Sequence, residues 1–138
     1  MKPIAIASLV LLASPILSQY QASVFPPFDA PNYPTTLLVC SQELQARGYW
    51  TLSQLPSYPN VSAVDADLGG CGTCWELSSS GGGVVAVAAV DGVRHYGLPP
   101  SFGLTSAAKD QLLGSNTEGL SLIFPVSAKQ VASSVCGL

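Results

Sequence analysis

Small aliphatic residues fill the stretch Val84–Val90, which ends at the charged residue Asp91. An uninterrupted apolar run of this length is typical of a strand that is buried on both faces. The preceding stretch Cys74–Ser79 alternates weakly between apolar and polar side chains, and the turn-forming residues Ser80–Gly83 separate the two. We therefore predict a β-hairpin over residues 74–90. The other extended segments expected from the same pattern are Ala22–Asp29, Thr35–Cys40 and Leu120–Val126, with Pro125 interrupting the last one late.

Helix signals occur in two places. Thr105 or Ser106 can cap a helix that runs to Leu113 and stops at Gly114. Thr51-Leu52-Ser53-Gln54 has the spacing of a capping box, and the prolines that follow it limit that helix to a short one.

The remaining segments are predicted to be loops. Asn60–Gly70 and Gly92–Ser101 are expected to be irregular, and Ser41–Tyr49 is expected to be a polar loop or a short helical turn. The pattern therefore predicts about six short strands and about two helices. We expect a mainly β (α+β) fold, a small β-barrel with short peripheral helices, and we find no internal repeat.

The chain begins with a different kind of pattern. A short positive start, Met1-Lys2, precedes the apolar stretch Ile4–Leu17, and polar residues resume at Ser18. This arrangement predicts a secretory signal peptide over residues 1–18, and the apolar stretch is too short to span a membrane. Cleavage after Ser18 is preferred and cleavage after Ala22 is the alternative, while a buried N-terminal helix is the competing interpretation. We expect a single secreted domain over residues 19–138, located outside the cell or in the cell wall.

The charge of the chain bears on its partners. The full chain carries 5 basic and 8 acidic residues. Loss of Lys2 with the signal peptide would leave four basic residues and a formal charge of −4. An acidic chain without a basic cluster is a poor candidate for binding nucleic acid or an anionic membrane surface. A neutral polar ligand such as carbohydrate fits the low charge, and no cofactor is expected.

Four cysteines, two of them in the motif Cys71-Gly72-Thr73-Cys74, predict two disulfides in a secreted domain. A redox pair is less favoured because no βαβ context surrounds the motif, and a zinc site would have only the four cysteines and His95 as ligands. Spacing alone does not choose between Cys40–Cys71 with Cys74–Cys136 and Cys40–Cys74 with Cys71–Cys136. Asn60-Val61-Ser62 is a sequon for N-glycosylation.

Candidate catalytic residues are few. His95 is the single histidine, and no Gly-x-Ser-x-Gly nucleophile motif is present. A glycosidase would need two carboxylates placed across the scissile bond. Asp91 is the carboxylate of most interest because it ends a buried strand and would lie at the barrel rim. Its alternative role is to cap the next turn through backbone hydrogen bonds. The aromatic residues that could support a sugar ring are Tyr49, Trp50, Tyr58, Trp75 and Tyr96, and we expect Trp75 to be in the core.

The string Cys71-Gly72-Thr73-Cys74-Trp75 resembles the Cys-Gly-Thr-Cys-Trp core of the cerato-platanin family of small secreted fungal proteins. The four cysteines occur in the family order. Weaker likenesses to family segments are found in Phe28-Asp29 with Tyr33, Leu55-Pro56-Ser57-Tyr58-Pro59-Asn60-Val61, Val87-Ala88-Ala89-Val90-Asp91 and Cys136-Gly137-Leu138.

The resemblance implies a six-stranded double-psi β-barrel related to expansin domains, with disulfides Cys40–Cys71 and Cys74–Cys136. It also implies a non-catalytic protein that binds chitin or N-acetylglucosamine oligomers, loosens wall polysaccharide, self-assembles at interfaces and elicits plant defence, which would involve a plant receptor. The family's Cys-Ser-Asp/Asn-Gly, Gly-Trp-Asn-Ser-Pro and Gly-Phe-Asn segments are replaced here by other sequences, including Asp65-Ala66-Asp67-Leu68-Gly69-Gly70 and Tyr96-Gly97-Leu98. The expansin His-Phe-Asp string is absent.

These observations predict a carbohydrate site without catalysis or metal. Asp29 and Asp91 would accept hydrogen bonds from sugar hydroxyls or N-acetyl N–H groups, and Tyr96 with the Gly97 backbone would line one wall. Two other functions stay open. The chain could be an interfacial, self-assembling structural protein, or a small glycan hydrolase that uses Asp91.

Overall fold

A computed structural model of the chain describes residues 18–93, 100–115 and 123–138. Six strands form a closed barrel in the order β1-β5-β2-β4-β3-β6. The strands are β1 Ser18–Val24, β2 Val61–Asp65, β3 Cys74–Ser78, β4 Val84–Val93, β5 Phe102–Leu104 and β6 Ile123–Val131. The predicted six-stranded barrel with short peripheral helices and two disulfides is confirmed.

Strand pairing closes the barrel through two parallel and four antiparallel contacts. β1 runs parallel to β5, and β2 runs parallel to β4. The antiparallel pairs are β1 with β6, β2 with β5, β3 with β4 and β3 with β6. The β3–β4 pair is the predicted hairpin, with Cys74 opposite Ala88 and Ser78 opposite Val84.

Among residues 18–93, 100–115 and 123–138, two α-helices and four 3₁₀ turns surround the barrel. Helix α1 spans Ser41–Ala46 and α2 spans Ser106–Leu113. The 3₁₀ turns are Pro26–Asp29, Thr35–Leu37, Leu52–Gln54 and Ser133–Cys136. The predicted cap of α2 is present, because Thr105 Oγ1 accepts the Ala108 N–H at 3.1 Å. Gly114 ends α2 with a φ of +85°, a conformation that glycine adopts without steric cost.

The barrel interior contains one apolar cluster. Alternate residues of each strand point inward, as the two-residue period of a strand requires. Trp75 is only 6% exposed and contacts Phe102 edge to face, so its predicted place in the core is confirmed. The buried members of this cluster are Ala22, Val64, Trp75, Leu77, Val85, Val87, Ala89, Phe102, Leu104, Ala108, Leu112, Phe124, Val126 and Ala128.

A second apolar cluster lies outside the barrel. The segment 25–60 folds over the outer face of β2 and β4, and we call this segment the outer layer. Its buried side chains pack on Val61, Ala63 and Val90 of those two strands. The members contributed by the outer layer are Phe28, Leu38, Cys40, Leu44, Leu52 and Leu55.

Two disulfides join the surrounding segments to the barrel. The structure pairs Cys40 with Cys71 and Cys74 with Cys136, which is the pairing that the resemblance implies. The sequence separations are 31 and 62 residues. For such loops a chain-entropy model gives stabilisation of about 3.7 and 4.3 kcal/mol. The first bond ties the outer layer to the turn before β3, and the second ties the C-terminal turn to β3.

Several predicted elements are wrong. Thr35–Cys40 is a 3₁₀ turn over Thr35–Leu37 rather than a strand, since its backbone bonds to the outer layer and to an Asp91 side chain instead of to a neighbouring strand. Asn60–Gly70 is not all loop, because it contains β2, whose five residues are all buried. In β2 the Ser62 hydroxyl is satisfied internally by the Ala63 carbonyl, so a polar residue is tolerated there.

The other differences concern strand bounds. β1 ends at Val24 and a 3₁₀ turn follows within the predicted extended segment. β4 continues to Val93 into the predicted loop, and β5 was not predicted at all. β6 runs through Pro125 to Val131. Its pairing with β3 involves only residues 127–131, so the N–H that Pro125 lacks costs no hydrogen bond to β3.

The predicted signal peptide falls largely outside the described residues, and it stays a prediction. In the part of the chain that the structure describes, no helix is both long and apolar enough to cross a membrane.

Candidate functional site

Asp91 lies on the outer face of β4, where the strand pairing is irregular. Ser62 of β2 is opposite Ala89, but the next residue, Ala63, is opposite Asp91. Val90 is therefore left without a partner, as in a β-bulge. The bulge turns Asp91 to the same side as Ala63, toward the outer layer.

The Asp91 carboxylate is half-buried and is oriented by two backbone donors. Its Oδ1 accepts the Val39 N–H at 2.8 Å and the Gly92 N–H at 3.0 Å. The turn-capping role expected as an alternative is thus present, although one of its donors comes from the outer layer. Within the described residues no hydrogen bond reaches Oδ2, which can accept one from a ligand.

Asp29 occupies a different place. It is exposed at the end of the 3₁₀ turn Pro26–Asp29, and its two oxygens accept hydrogen bonds from the backbone N–H and the hydroxyl of Ser106 at 2.7 and 2.6 Å. Ser106 is the first residue of α2, where a negative charge is stabilised by the helix dipole. The hydrogen bonds of Asp29 therefore join the outer layer to this helix.

The charge of Asp29 affects the ionisation of its neighbour Tyr58. Its phenol donates a hydrogen bond to the Phe28 carbonyl at 3.0 Å. Burial raises the pKa of Tyr58 above its usual value, and the negative charge of Asp29 raises it further. The phenol is thereby held in its neutral, donating form.

Of the four predicted site residues, the structure describes Asp29 and Asp91. Their carboxylates have different hydrogen-bond partners, Val39 and Gly92 for Asp91 and Ser106 for Asp29. Tyr96 and Gly97 lie outside the described residues, as does His95. All four stay predictions. Among the described residues, Asp91 has one carboxylate oxygen without a hydrogen bond, whereas both oxygens of Asp29 bind Ser106.

Exposed apolar side chains of the outer layer were missed by the sequence reasoning. Exposed and buried residues alternate from Leu37 to Cys40. Leu37 and Val39 are 65% and 68% exposed, whereas Leu38 and Cys40 are buried. This alternation is visible in the sequence only once the segment is known to cover the barrel. Val39 also lies 3.8 Å from the position that a Cβ on Gly92 would take, so it borders Asp91 on the surface.

The aromatic residues that could stack on a sugar ring differ in how exposed they are to solvent. Trp50 is 56% exposed, whereas Tyr49 and Tyr58 pack against the outer apolar cluster. Among the candidates that the structure describes, Trp50 is the one that offers an open ring face.

Two of the grooves on the described surface bear on the site. The larger, of about 590 Å³, lies between the turn 56–60 and the C-terminal 3₁₀ turn, with Ala86 of β4 also lining it. The smaller, of about 260 Å³, lies between the start of β1, the end of β3 and β6. Asp91 lines neither of them.

The described residues contain no group of three or more His, Cys, Asp or Glu side chains placed to hold a metal ion. Two of the acidic side chains are in ion pairs, Glu76 with Lys129 at 3.3 Å and Asp110 with Lys109 at 2.9 Å.

Comparison with known proteins gave structural matches only. No protein-family model and no curated protein sequence matches the chain. Among solved structures, it is similar to cerato-platanin 2 from M. perniciosa, with a TM-score of 0.74 and 27% identity over 88% of this chain and 100% of that one. Cerato-platanin 3 from M. perniciosa has a TM-score of 0.73 and 28% identity over the same shares. The solution structure of the fungal elicitor cerato-platanin has a TM-score of 0.66 and 29% identity over 84% of this chain and 95% of that one.

Proposed function

Since the chain belongs to the cerato-platanin family by its fold and its cysteine motif, we propose that it is a secreted, non-catalytic fungal protein that binds N-acetylglucosamine oligomers or a related wall polysaccharide. Wall loosening and elicitation of plant defence through a host receptor are part of the same proposal. The elicitor role is supported by the relative of 29% identity, which is described as a fungal elicitor.

The observation that carries the binding proposal is the geometry of Asp91. Two backbone N–H groups orient its carboxylate through Oδ1, and Oδ2 has no partner within the described residues. A carboxylate held in this way loses little side-chain freedom when it accepts a hydrogen bond from a sugar hydroxyl or an acetamido N–H. Val39 next to it supplies an apolar surface for the C–H face of a sugar ring.

Calorimetric titration with N-acetylglucosamine oligomers of increasing length tests the proposal. A hydrogen bond to a charged acceptor is worth about 1.5–3 kcal/mol, so Asp91→Ala is expected to weaken binding about tenfold or more. Asp110→Ala is the matched control, because it also removes one surface carboxylate but lies on α2, and its affinity should equal that of the native protein.

The outcomes separate the possibilities. Saturable binding that strengthens with oligomer length and drops in the Asp91 variant supports the site. Unchanged affinity in a folded Asp91→Ala protein removes Asp91 from it. The titrated oligomers are also examined by mass spectrometry, and cleavage products that Asp91→Asn abolishes would make the hydrolase alternative correct. Against that alternative, Asp29, Glu76 and Asp110 are each engaged in other contacts.

The interfacial function is a second candidate because large apolar side chains of the outer layer are exposed, namely Leu37, Val39 and Trp50. Surface-tension measurements on the native protein and on Leu37→Ser and Trp50→Ser variants test it. Strong surface activity that these substitutions reduce, together with no saturable oligomer binding, would favour this candidate over carbohydrate recognition.

A further inference from the structure

The sequon Asn60-Val61-Ser62 begins at the wall of the larger groove, since Asn60 is one of the residues that line it. We propose that Asn60 carries an N-linked glycan and that the first N-acetylglucosamine of this glycan lies in the groove. This inference rests on the secretion that the proposed function includes, but not on its carbohydrate site, because the groove is lined by residues other than Asp91 and its neighbour Val39.

The groove is held in place on both sides. One wall is the turn Pro56–Asn60, and two hydrogen bonds hold it in place. The Tyr58 hydroxyl donates to the Phe28 carbonyl, and the Thr105 hydroxyl donates to the Pro59 carbonyl at 2.7 Å. The other wall is the turn Ser133–Cys136, which the Cys74–Cys136 disulfide ties to β3. A groove built between two anchored walls requires little ordering when a ligand occupies it.

Gly137 sets how closely the two walls approach. A Cβ on Gly137 would lie 3.0 Å from Pro56 Cβ, so the C-terminal turn packs directly on the proline ring. Gly137 also has a φ of +72°, which favours glycine at this position.

The chemistry of the groove suits a neutral sugar. Its lining includes no charged side chain, and its volume of about 590 Å³ is within the range of small-molecule sites. Pro56, Pro59 and Val135 offer apolar surface for C–H groups, and Val135 is 58% exposed.

Ser57 supplies a polar group at the same place. It lines the groove, and its buried hydroxyl has no hydrogen-bond partner among the described residues. A sugar hydroxyl or an acetamido group in the groove would give this hydroxyl the hydrogen-bond partner that buried polar groups usually have.

The Asn60 amide can be substituted without losing its stronger contact. Gln111 Nε2 donates to Asn60 Oδ1 at 2.7 Å, whereas Asn60 Nδ2 contacts Gln111 Oε1 only at 3.5 Å. Substitution at Nδ2 leaves Oδ1 and one Nδ2 hydrogen in place. The shorter bond therefore continues to position the side chain at the end of the groove.

Transfer of the glycan must precede folding of β2. Ser62, the hydroxyl residue of the sequon, is fully buried in β2 and donates to the Ala63 carbonyl. The donor is a lipid-linked oligosaccharyl pyrophosphate of the secretory pathway: the bond from sugar C1 to Asn60 Nδ2 forms, the C1–O bond to pyrophosphate breaks, and Nδ2 releases one proton to a base of the transferase.

The test uses the full chain secreted from a yeast host and trimmed by an endoglycosidase to one N-acetylglucosamine. Mass spectrometry of peptides is expected to place this sugar on Asn60. In NMR spectra, nuclear Overhauser effects are expected between the N-acetyl methyl group and the side chains of Val135 and Pro59. The same chain refolded from bacteria lacks only the sugar, and its Tm is expected to be lower.

A matched pair of variants tests whether the sugar lies in the groove. Val135→Ser removes apolar surface from the groove and should shrink the difference in Tm between the glycosylated and bare forms. Val84→Ser changes a similarly exposed valine that does not line the groove, and it should leave that difference unchanged. An unmodified Asn60 in the secreted protein, or a sugar without Overhauser effects to the groove, would overturn the proposal.

Discussion

Single polar side chains at the ends of elements join parts of the chain that are far apart in sequence. Asp29 bonds to Ser106 across 77 residues, and Asp91 bonds to Val39 across 52. Tyr58 and Thr105 make similar contacts to backbone carbonyls of other segments. Each of these contacts joins two segments through a backbone group, and loss of the partly buried Tyr58 hydroxyl would leave the Phe28 carbonyl without this hydrogen bond.

At this scale the raised pKa of Tyr58 has a consequence for stability at alkaline pH. The unfolded chain loses the phenol proton near the usual pKa of about 10, whereas the folded protein keeps it to a higher pH. The contribution of Tyr58 to the free energy of unfolding is therefore complete below about pH 10 and decreases as the pH rises toward the folded pKa. Urea unfolding at a series of pH values should show this decrease in the free energy of unfolding. Because Tyr58 releases a single proton, it can contribute to the slope of this free energy with pH at most the value for one proton.

Two substitutions check the assignment. Tyr58→Phe should remove the part of the alkaline decrease that Tyr58 causes, besides lowering stability at neutral pH through loss of the bond to Phe28. Asp29→Asn should make the decrease smaller, because the charge of Asp29 is the second cause of the shift. An alkaline slope that is the same in all three proteins would contradict the interpretation.

At the scale of elements, helix α2 docks on the barrel through the turn between β3 and β4. The Ser79 hydroxyl donates to the Leu112 carbonyl at 2.6 Å. Gly83 approaches the same end of the helix, and a Cβ on Gly83 would overlap the Leu112 carbonyl oxygen and lie 2.7 Å from that of Gln111. Only a residue without a side chain fits between this turn and the helix backbone.

We expect Gly83→Ala to destabilise the fold by about 1–3 kcal/mol, since backbone atoms on both sides must move to admit the methyl group. Gly81→Ala is the control, because a Cβ there meets only Ser79 Oγ at 3.9 Å. Urea unfolding should show a lower midpoint for the first variant and a nearly unchanged one for the second. Equal midpoints for the two variants would mean that the turn does not constrain the helix.

At the scale of the whole molecule, closure of the barrel depends on β1. This strand pairs with β5 on one side and with β6 on the other, from Ser18 opposite Ala128 to Ser23 opposite Ile123. Without β1 the edges of β5 and β6 would expose unpaired backbone groups, and Phe124 would lose its neighbour Ala22 in the core.

This dependence bears on where the predicted signal peptide would be cleaved. Cleavage after Ser18 removes one of the six residue pairs between β1 and β6, whereas cleavage after Ala22 removes five of them. We therefore expect the secreted protein to begin at Gln19. Intact-mass measurement of the secreted chain checks this, with the protein secreted behind an unrelated signal and starting at Ser23 as a comparison. A folded, stable protein that begins at Ser23 would show that β1 is dispensable.

Local patterns in the sequence were sufficient for part of the fold. The β3–β4 hairpin, helix α2 with Thr105 and Gly114 at its ends, and the short helix after Thr51 were all predicted at nearly their observed bounds. In the last of these, Gln54 Oε1 accepts the Thr51 N–H at 3.2 Å, as a capping box requires. Each of these signals acts between residues that are close in sequence, so no knowledge of the remaining chain is needed.

Other elements depend on partners far along the chain. β2 has two polar residues among its five and β5 has only three residues, so neither has a strong pattern of its own. Both are strands because each lies between two neighbours, β2 between β4 and β5, and β5 between β1 and β2. Thr35–Cys40 has strand-forming residues but no neighbouring strand edge, and it folds as part of the outer layer instead.

The amino-acid sequence by itself predicted the two disulfides, several local elements and, through the cysteine motif, the resemblance to the cerato-platanin family. Secretion also follows from the sequence and stays a prediction. Only the tertiary structure decided which backbone groups hold the Asp29 and Asp91 carboxylates, which valines and leucines reach the surface, and that Asn60 lies in a groove. The reason is physical: composition and short-range periodicity act along the chain, whereas burial, hydrogen-bond partners and grooves are made by segments that meet only when the barrel closes.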